Sequence, residues 1–314
     1  MRLVVFIILL WLILAVLNAP YVKESKLKIR PRVVCSLTTR PKQPHYFHKV
    51  LDILVKQFDA VYLAIPKISC KGIPYPIVEH EGVTITTPEK DYGPITKYFA
   101  ALDHEKDPDT LIVVVDDDIL YSPNLKRQFV REHAKYSDCV LSGAGIVYKY
   151  SNLPWFLCMN GRRPYFPSYF PSFLGNRHLT TVAGYSGVAF KRSLISKTEL
   201  IIFIESLASS KKCFVNDDIV ISAYFSNNNV KRIYAEVDDS QHPKDKDTES
   251  LSDTNNNIMK TQHQAYLTLK ECFENDPVRY DCFCVIDIII ILLVSIQSLG
   301  IHHWVKTYQF VSPT

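Results

Sequence analysis

The 314-residue sequence lacks a strong charge of either sign: 36 Lys and Arg stand against 32 Asp and Glu, a net charge of +4. A protein that grips nucleic acid through its phosphates needs a basic face, and the totals provide none, so no nucleic-acid partner is expected. Any Cys-x-x-Cys pair is also missing. Cys282-Phe283-Cys284 has no second knuckle to complete a structural zinc site. Eight cysteines, an even number, permit disulfides without demonstrating them. Cys35 and Cys139 lie in apolar, strand-like runs, where a thiol behaves as a small hydrophobe. There is no internal repeat. A disordered composition is excluded as well, because 47% of the residues are hydrophobic, with 18 Tyr and 16 Phe among them. That suffices for one packed domain of roughly 200–250 residues plus membrane segments.

Long apolar runs are few. Leu3 to Leu17 is uninterrupted, yet as a helix it would reach about 22 Å, short of the ~30 Å hydrocarbon core unless Asn18 and Ala19 extend it. Leu17-Asn18-Ala19 loosely resembles a signal-peptidase site, but Pro20 follows directly and disfavours cleavage. Residues 1–20 are therefore expected to be an uncleaved membrane anchor, with a signal peptide as the alternative. Residues 21–31 read as a basic juxtamembrane linker, since Lys23, Lys26, Lys28 and Arg30 cluster there with Arg32 just beyond. Only Arg2 precedes the apolar run, so the positive-inside rule puts the following domain on the cytoplasmic side. The second run, Phe283 to Ile296, contains Asp287. A charge there would cost about 2.5–3.5 kcal/mol in a span, so a second span, an interfacial helix and a buried core helix all remain open for residues 282–301.

Between these ends, short apolar runs alternate with helical periodicity. Arg32–Thr39, Val61–Ile65, Val83–Thr86 and Leu111–Val115 read as strands. Phe47, Val50, Leu51, Leu54 and Phe58 fall on one helical face, and Ile95–Asp103 suits a helix entered at Pro94. Cys139–Val147, Val182–Phe190 and Lys231–Val237 follow as strands and Asp217–Phe225 as a helix. Leu153–Phe173 and Asp238–Asn257 read as loops. Strand–helix alternation implies an α/β fold, a Rossmann-like sheet with helices on both sides, in one domain over 32–275. Ligands of such sheets bind beyond the carboxyl ends of the strands. Thr38-Thr39-Arg40 and Asp116-Asp117-Asp118 both fall there.

Three carboxylates closing a buried strand repel one another unless a cation lies between them. A hard ion such as Mg²⁺ or Mn²⁺ is held by one or two carboxylates plus substrate phosphates. In an extended segment Asp116 and Asp118 point to one side and Asp117 to the other. The first two would share the metal, and Asp117 would meet a ribose or a backbone amide. The bland alternative is a solvated acidic turn or a helix cap, which the continuing apolar residues Ile119 and Leu120 disfavour.

A strand followed by Asp-Asp-Asp resembles the Asp-x-Asp metal motif of glycosyltransferases with the GT-A fold, and in particular the family-2-like group. Asp91-Tyr92-Gly93-Pro94-Ile95-Thr96-Lys97 resembles a segment that precedes that motif in a group of such enzymes. The resemblance covers roughly Arg32 to Val237. It implies a mixed sheet flanked by helices, a UDP- or GDP-sugar donor, a Mn²⁺ or Mg²⁺ cofactor, and an acceptor hydroxyl on a glycan, glycoprotein or glycolipid. It also implies an endomembrane setting such as the Golgi or ER, whose enzymes face away from the cytoplasm, against the orientation read from the basic residues.

By that resemblance Thr38, Thr39 and Arg40 lie beside the nucleotide, Asp91 contacts the base or ribose, and Lys97 offsets diphosphate charge. Lys97 as an exposed helix lysine, and Arg40 as a surface residue, are the alternatives. Asn216-Asp217-Asp218 resembles the acidic pair that supplies the catalytic base of inverting members. Asp218 is slightly preferred, while simple N-capping by Asn216 or Asp217 competes. Gly184-Tyr185-Ser186-Gly187 resembles the loop lining the sugar and acceptor site, and His242 is a candidate late metal ligand. Two rival functions stand beside this one. A haloacid-dehalogenase-like phosphatase would need its nucleophilic Asp where Thr38-Thr39 lies, and a membrane-tethered sugar-binding protein would use the same fold without catalysis.

Overall fold

Val33–Thr38 (β1) and Leu111–Val114 (β4) are almost wholly apolar and buried, the pattern of strands covered on both faces. They pair in parallel at the centre of a seven-stranded sheet. The computed structural model describes residues 31–147, 166–167, 177–207, 213, 216–237 and 265–274, all within the unit Met1–Pro277. The expected anchor, most of the basic linker, the 282–301 segment, the Asp238–Asn257 loop with His242, and all of Leu153–Phe173 except 166–167 lie outside these residues. Among the described residues no helix is long and apolar enough to cross a membrane.

The chain runs from β1 through α1 (Phe47–Val55), β2 (Ala60–Ala64) and β3 (Val83–Thr86) to a 3-10 segment (Gly93–Tyr98) that continues into α2 (Phe99–His104). After β4 come α3 (Leu125–His133), β5 (Val140–Ser142), β6 (Gly145–Val147), β7 (Phe166–Pro167), β8 (Thr181–Val182) and β9 (Val188–Lys191). They are followed by α4 (Lys197–Ser206), α5 (Asp217–Asn227), β10 (Arg232–Tyr234) and α6 (Lys270–Glu274). The main sheet has the order β10-β5-β9-β4-β1-β2-β3, and a second sheet has β7-β6-β8. In the main sheet β9 runs antiparallel to β4 and β5, and the other pairs are parallel. The α/β reading and the mixed, helix-flanked sheet therefore hold.

Strand alternation divides the core. Val34, Tyr62, Ile112, Val114 and Phe190 face α2 and α5, while Val33, Cys35, Leu63, Val113 and Ala189 face α1 and α3. Helices thus cover both faces, each burying its apolar stripe on one set of strand positions.

Two expected strands break. Cys139–Val147 becomes β5 and β6, in different sheets. The break falls at Gly143, where a side chain would come within 2.8 Å of the Ser186 carbonyl. Val182–Phe190 becomes β8 and β9 around a 3-10 turn at Gly184–Ser186, closed by Gly187 at φ 81°. That left-handed conformation is one that glycine adopts without strain. Ile95–Asp103 is helical as expected, but its first turns are 3-10.

Candidate functional site

Parallel pairing brings the ends of β1 and β4 to one edge of the sheet. The antiparallel register of Val188 with Val114 carries the turn before β9 to that same edge. The first turn of α5 completes it. Residues from Asp91 to Asp218 therefore meet where the topology predicts a ligand.

Lys97 is the hub. It is 4% exposed, which overturns the exposed-lysine alternative. Its Nζ lies 2.6 Å from Asp116 Oδ1, a hydrogen-bonded ion pair, and 2.6 Å from Asp217 Oδ2. The second contact is an ion pair without hydrogen-bond alignment. Burial alone would drive the proton off this amine; the charges of Asp116, Asp217 and Asp218 outweigh it and hold Lys97 strongly protonated. The backbone beneath is fixed by the buried Ser36, whose hydroxyl donates to the Lys97 carbonyl (2.6 Å) and accepts from the Ala101 amide (3.1 Å).

Gly184 sits against the cluster. Its amide donates to Asp218 Oδ1 at 2.8 Å. A Cβ there would stand 2.6 Å from Lys97 Nζ and 3.2 Å from both Asp116 Oδ1 and Asp218 Oδ1. Lysine ends usually yield, but this one is pinned between carboxylates, so the close approach needs glycine. Burial, then the neighbouring Asp217, raises Asp218 well above the ordinary carboxylate range, against the opposing pull of Lys97 and the Gly184 amide.

Of the trio at the end of β4, Asp116 and Asp117 turn apart, and the chain bends into a turn at Asp117–Asp118 rather than running on extended. Asp116 turns to Lys97, whereas Asp117 accepts from the Thr39 hydroxyl at 2.6 Å. Burial, then the Asp118 charge, pushes Asp117 up to about 7, with Thr39 and Arg40 pulling the other way. Asp118 is partly exposed, and its carbonyl accepts from the Tyr46 hydroxyl. Thr38 is turned elsewhere: its hydroxyl donates to the Ala64 carbonyl of β2 at 2.7 Å. Among the described residues no group of three His, Cys, Asp or Glu side chains is gathered to hold a metal.

Asp91 does structural work. Its carboxylate accepts from the amides of Gly93 (2.7 Å) and Cys70 (2.8 Å). It also lines a cavity of about 240 Å³ together with Tyr92, Ile95, Ile204, Asp217 and Val220. Asp217, rather than Asp218, thus borders both the lysine cluster and the cavity. Asn216 makes no side-chain cap to α5, so the acidic pair occupies the first turn without the simple capping role at that position.

Two tyrosines at the site escaped sequence reasoning. The Tyr121 hydroxyl accepts from the Asp116 amide at 2.8 Å. Tyr98 is fully buried, and its hydroxyl has no hydrogen-bond partner among the described residues. Burial raises both phenols well above their ordinary range, so each stays neutral. Tyr98 follows Lys97 directly, but nothing in the local sequence signals either role.

No protein-family model matches the sequence, and no curated protein is a significant match. The chemistry of the strand-end cluster is therefore the guide to what the chain does.

Proposed function

We propose that this protein is a metal-dependent glycosyltransferase with a GT-A-like fold, moving a sugar from a UDP- or GDP-sugar to a hydroxyl on a glycan, glycoprotein or glycolipid, with inversion. One observation carries the reading. Asp116, Asp217 and Asp218, from segments about a hundred residues apart, surround a single buried lysine at the strand ends. Asp117 and Asp118 adjoin them, so carboxylate outnumbers the lysine at the centre.

The donor set suits a hard cation. It is all oxygen, and around the single Lys97 ammonium the carboxylates are in excess. Asp116 and Asp118 would hold Mn²⁺ or Mg²⁺, with substrate phosphates supplying the further oxygens such ions take. When bound, the ion neutralises the charge gathering on the leaving diphosphate.

The remaining work falls to the chain. A new bond forms from the acceptor oxygen to the anomeric carbon. The bond from that carbon to the diphosphate oxygen breaks, its electron pair leaving with the diphosphate. The hydroxyl proton passes to the Asp217–Asp218 pair. Asp218 is the preferred base, its carboxylate fixed by the Gly184 amide, and Asp217 borders the cavity in which an acceptor would stand. Lys97 keeps Asp116 and Asp217 in register, and Thr39 orients Asp117 toward the β1 edge.

The test is turnover of UDP- and GDP-sugars with Mn²⁺ by the full chain and by Asp116→Asn and Asp118→Asn. Each variant should lose activity at least 100-fold while its circular dichroism is unchanged. Full activity in both removes the metal assignment. Metal-dependent sugar binding without turnover of any donor favours the tethered binding protein instead.

A further inference from the structure

The cavity beside Asp217 has a lining that says what kind of group it takes. Ile95 and Val220 are its buried floor, and the half-buried Ile204 and Leu207 at the end of α4 are its apolar wall. At about 240 Å³ it falls below the ~300–1,000 Å³ of sites that enclose a whole drug-sized ligand. It therefore holds one portion of a larger molecule. Asp217 belongs both to this lining and to the acidic cluster, so a molecule seated here continues into the strand-end site.

The polar groups around the cavity already have partners. At the exposed rim the Lys90 ammonium donates to Glu205 Oε1 at 3.0 Å, and the Tyr92 hydroxyl donates to the same oxygen at 3.2 Å. Asp91 accepts from the Gly93 and Cys70 amides through its two oxygens, and Asp217 pairs with Lys97. A sugar ring carries hydroxyls on most of its carbons. Seated here it would break these pairs or leave its own donors and acceptors unmet, and either loses hydrogen bonds. A hydrocarbon asks nothing of them and fills a space whose apolar walls hold water poorly.

We propose that this cavity binds the hydrocarbon portion of the acceptor, an alcohol or glycoside with an alkyl tail, rather than a sugar ring. That the hydrocarbon belongs to an acceptor rests on the glycosyltransferase reading; that the cavity takes hydrocarbon rests on its lining.

The full chain, in phosphatidylcholine nanodiscs, is irradiated with hexyl β-glucoside carrying a diazirine on the last carbon of its tail, and the modified peptides are mapped by mass spectrometry. Adducts should gather on residues 90–95, 204–207 and 220. Unlabelled hexyl glucoside should protect at about a 15-fold lower concentration than butyl glucoside, roughly fourfold for each added methylene. Free glucose should not protect. Ile204→Trp fills the cavity and should cut the yield there at least tenfold. Ile202→Trp, on the same helix but 63% exposed and outside the lining, should leave it unchanged. Where circular dichroism shows Ile204→Trp unfolded, Leu207→Trp makes the same obstruction. Absence of adducts at these residues, protection by glucose equal to that by hexyl glucoside, or a yield that both obstructing variants leave intact overturns the proposal. The expected labelling in a chain that turns over no UDP- or GDP-sugar would keep the hydrocarbon site and remove the acceptor assignment together with the glycosyltransferase reading.

Discussion

Asp117 shows how one side chain records the charge state of its surroundings. Its carboxyl is raised to about 7 by burial and by Asp118, whereas an unfolded Asp titrates near 3.9. Between those values the folded protein binds a proton that the unfolded chain has lost. Asp117 therefore favours folding fully below about pH 4, and that contribution is lost as pH rises to about 7. In metal-free buffer, stability measured by urea unfolding should fall over this window, with a limiting slope of about 1.4 kcal/mol per pH unit from this group. Asp117→Asn keeps an acceptor for Thr39 and mimics the protonated acid. The variant should flatten the slope and be more stable than the wild type at pH 8; an unchanged slope would mean that burial does not hold a proton on this carboxyl. The sequence displayed three acids in a row, and alternation separated Asp117 from Asp116. It could not display the burial that shifts the proton affinity. Nor could it place Lys97, whose partners come from segments 19 and 120 residues away.

At the scale of elements, the site rests on a seam between β1 and the 3-10 to α2 junction. Ser36 closes that seam with two hydrogen bonds, to the Lys97 carbonyl and from the Ala101 amide, and is fully buried. Ser36→Ala leaves both backbone groups without this partner. The expected loss is about 1–3 kcal/mol, read as a lower urea midpoint at unchanged slope. Activity should fall further than stability explains, because Lys97 hangs from the same junction. Long, uniformly apolar or periodic elements such as β1, β4 and α1 were legible in the sequence because burial on two faces, or on one helical stripe, leaves a pattern. The two strands that broke were not. Cys139–Val147 and Val182–Phe190 each read as continuous β pattern, and what interrupts them is distant. At Gly143 the obstacles are Ser186 and Val237, and at Gly184 they are Lys97, Asp116 and Asp218. A glycine in a strand signals close approach, but only the tertiary fold says to what.

For the whole molecule, the site is a convergence point. Thr39 follows β1, Lys97 precedes α2, Asp116 follows β4, Gly184 precedes β9, and Asp217 opens α5. A ligand held among them touches segments that separate only when the domain unfolds, so its binding energy becomes stability of the whole domain. Free of ligand, the domain must hold Asp116, Asp117, Asp118, Asp217 and Asp218 near one buried lysine, and like charges at short range oppose compaction. A divalent cation with a nucleoside diphosphate relieves that opposition and adds its own binding energy. At about 100-fold over its dissociation constant the pair should raise the unfolding free energy by about 2.7 kcal/mol, seen as a higher thermal midpoint. Manganese and diphosphate should each do less alone than together, since the phosphates complete the metal's oxygen shell. Asp116→Asn combined with Asp118→Asn should abolish the manganese-dependent part of the shift. Because Asp116 is an ion-pair partner of the buried Lys97, the double variant should also start less stable than the wild type. A variant that responds in full would mean that the metal binds elsewhere, and that the acids of β4 serve another purpose.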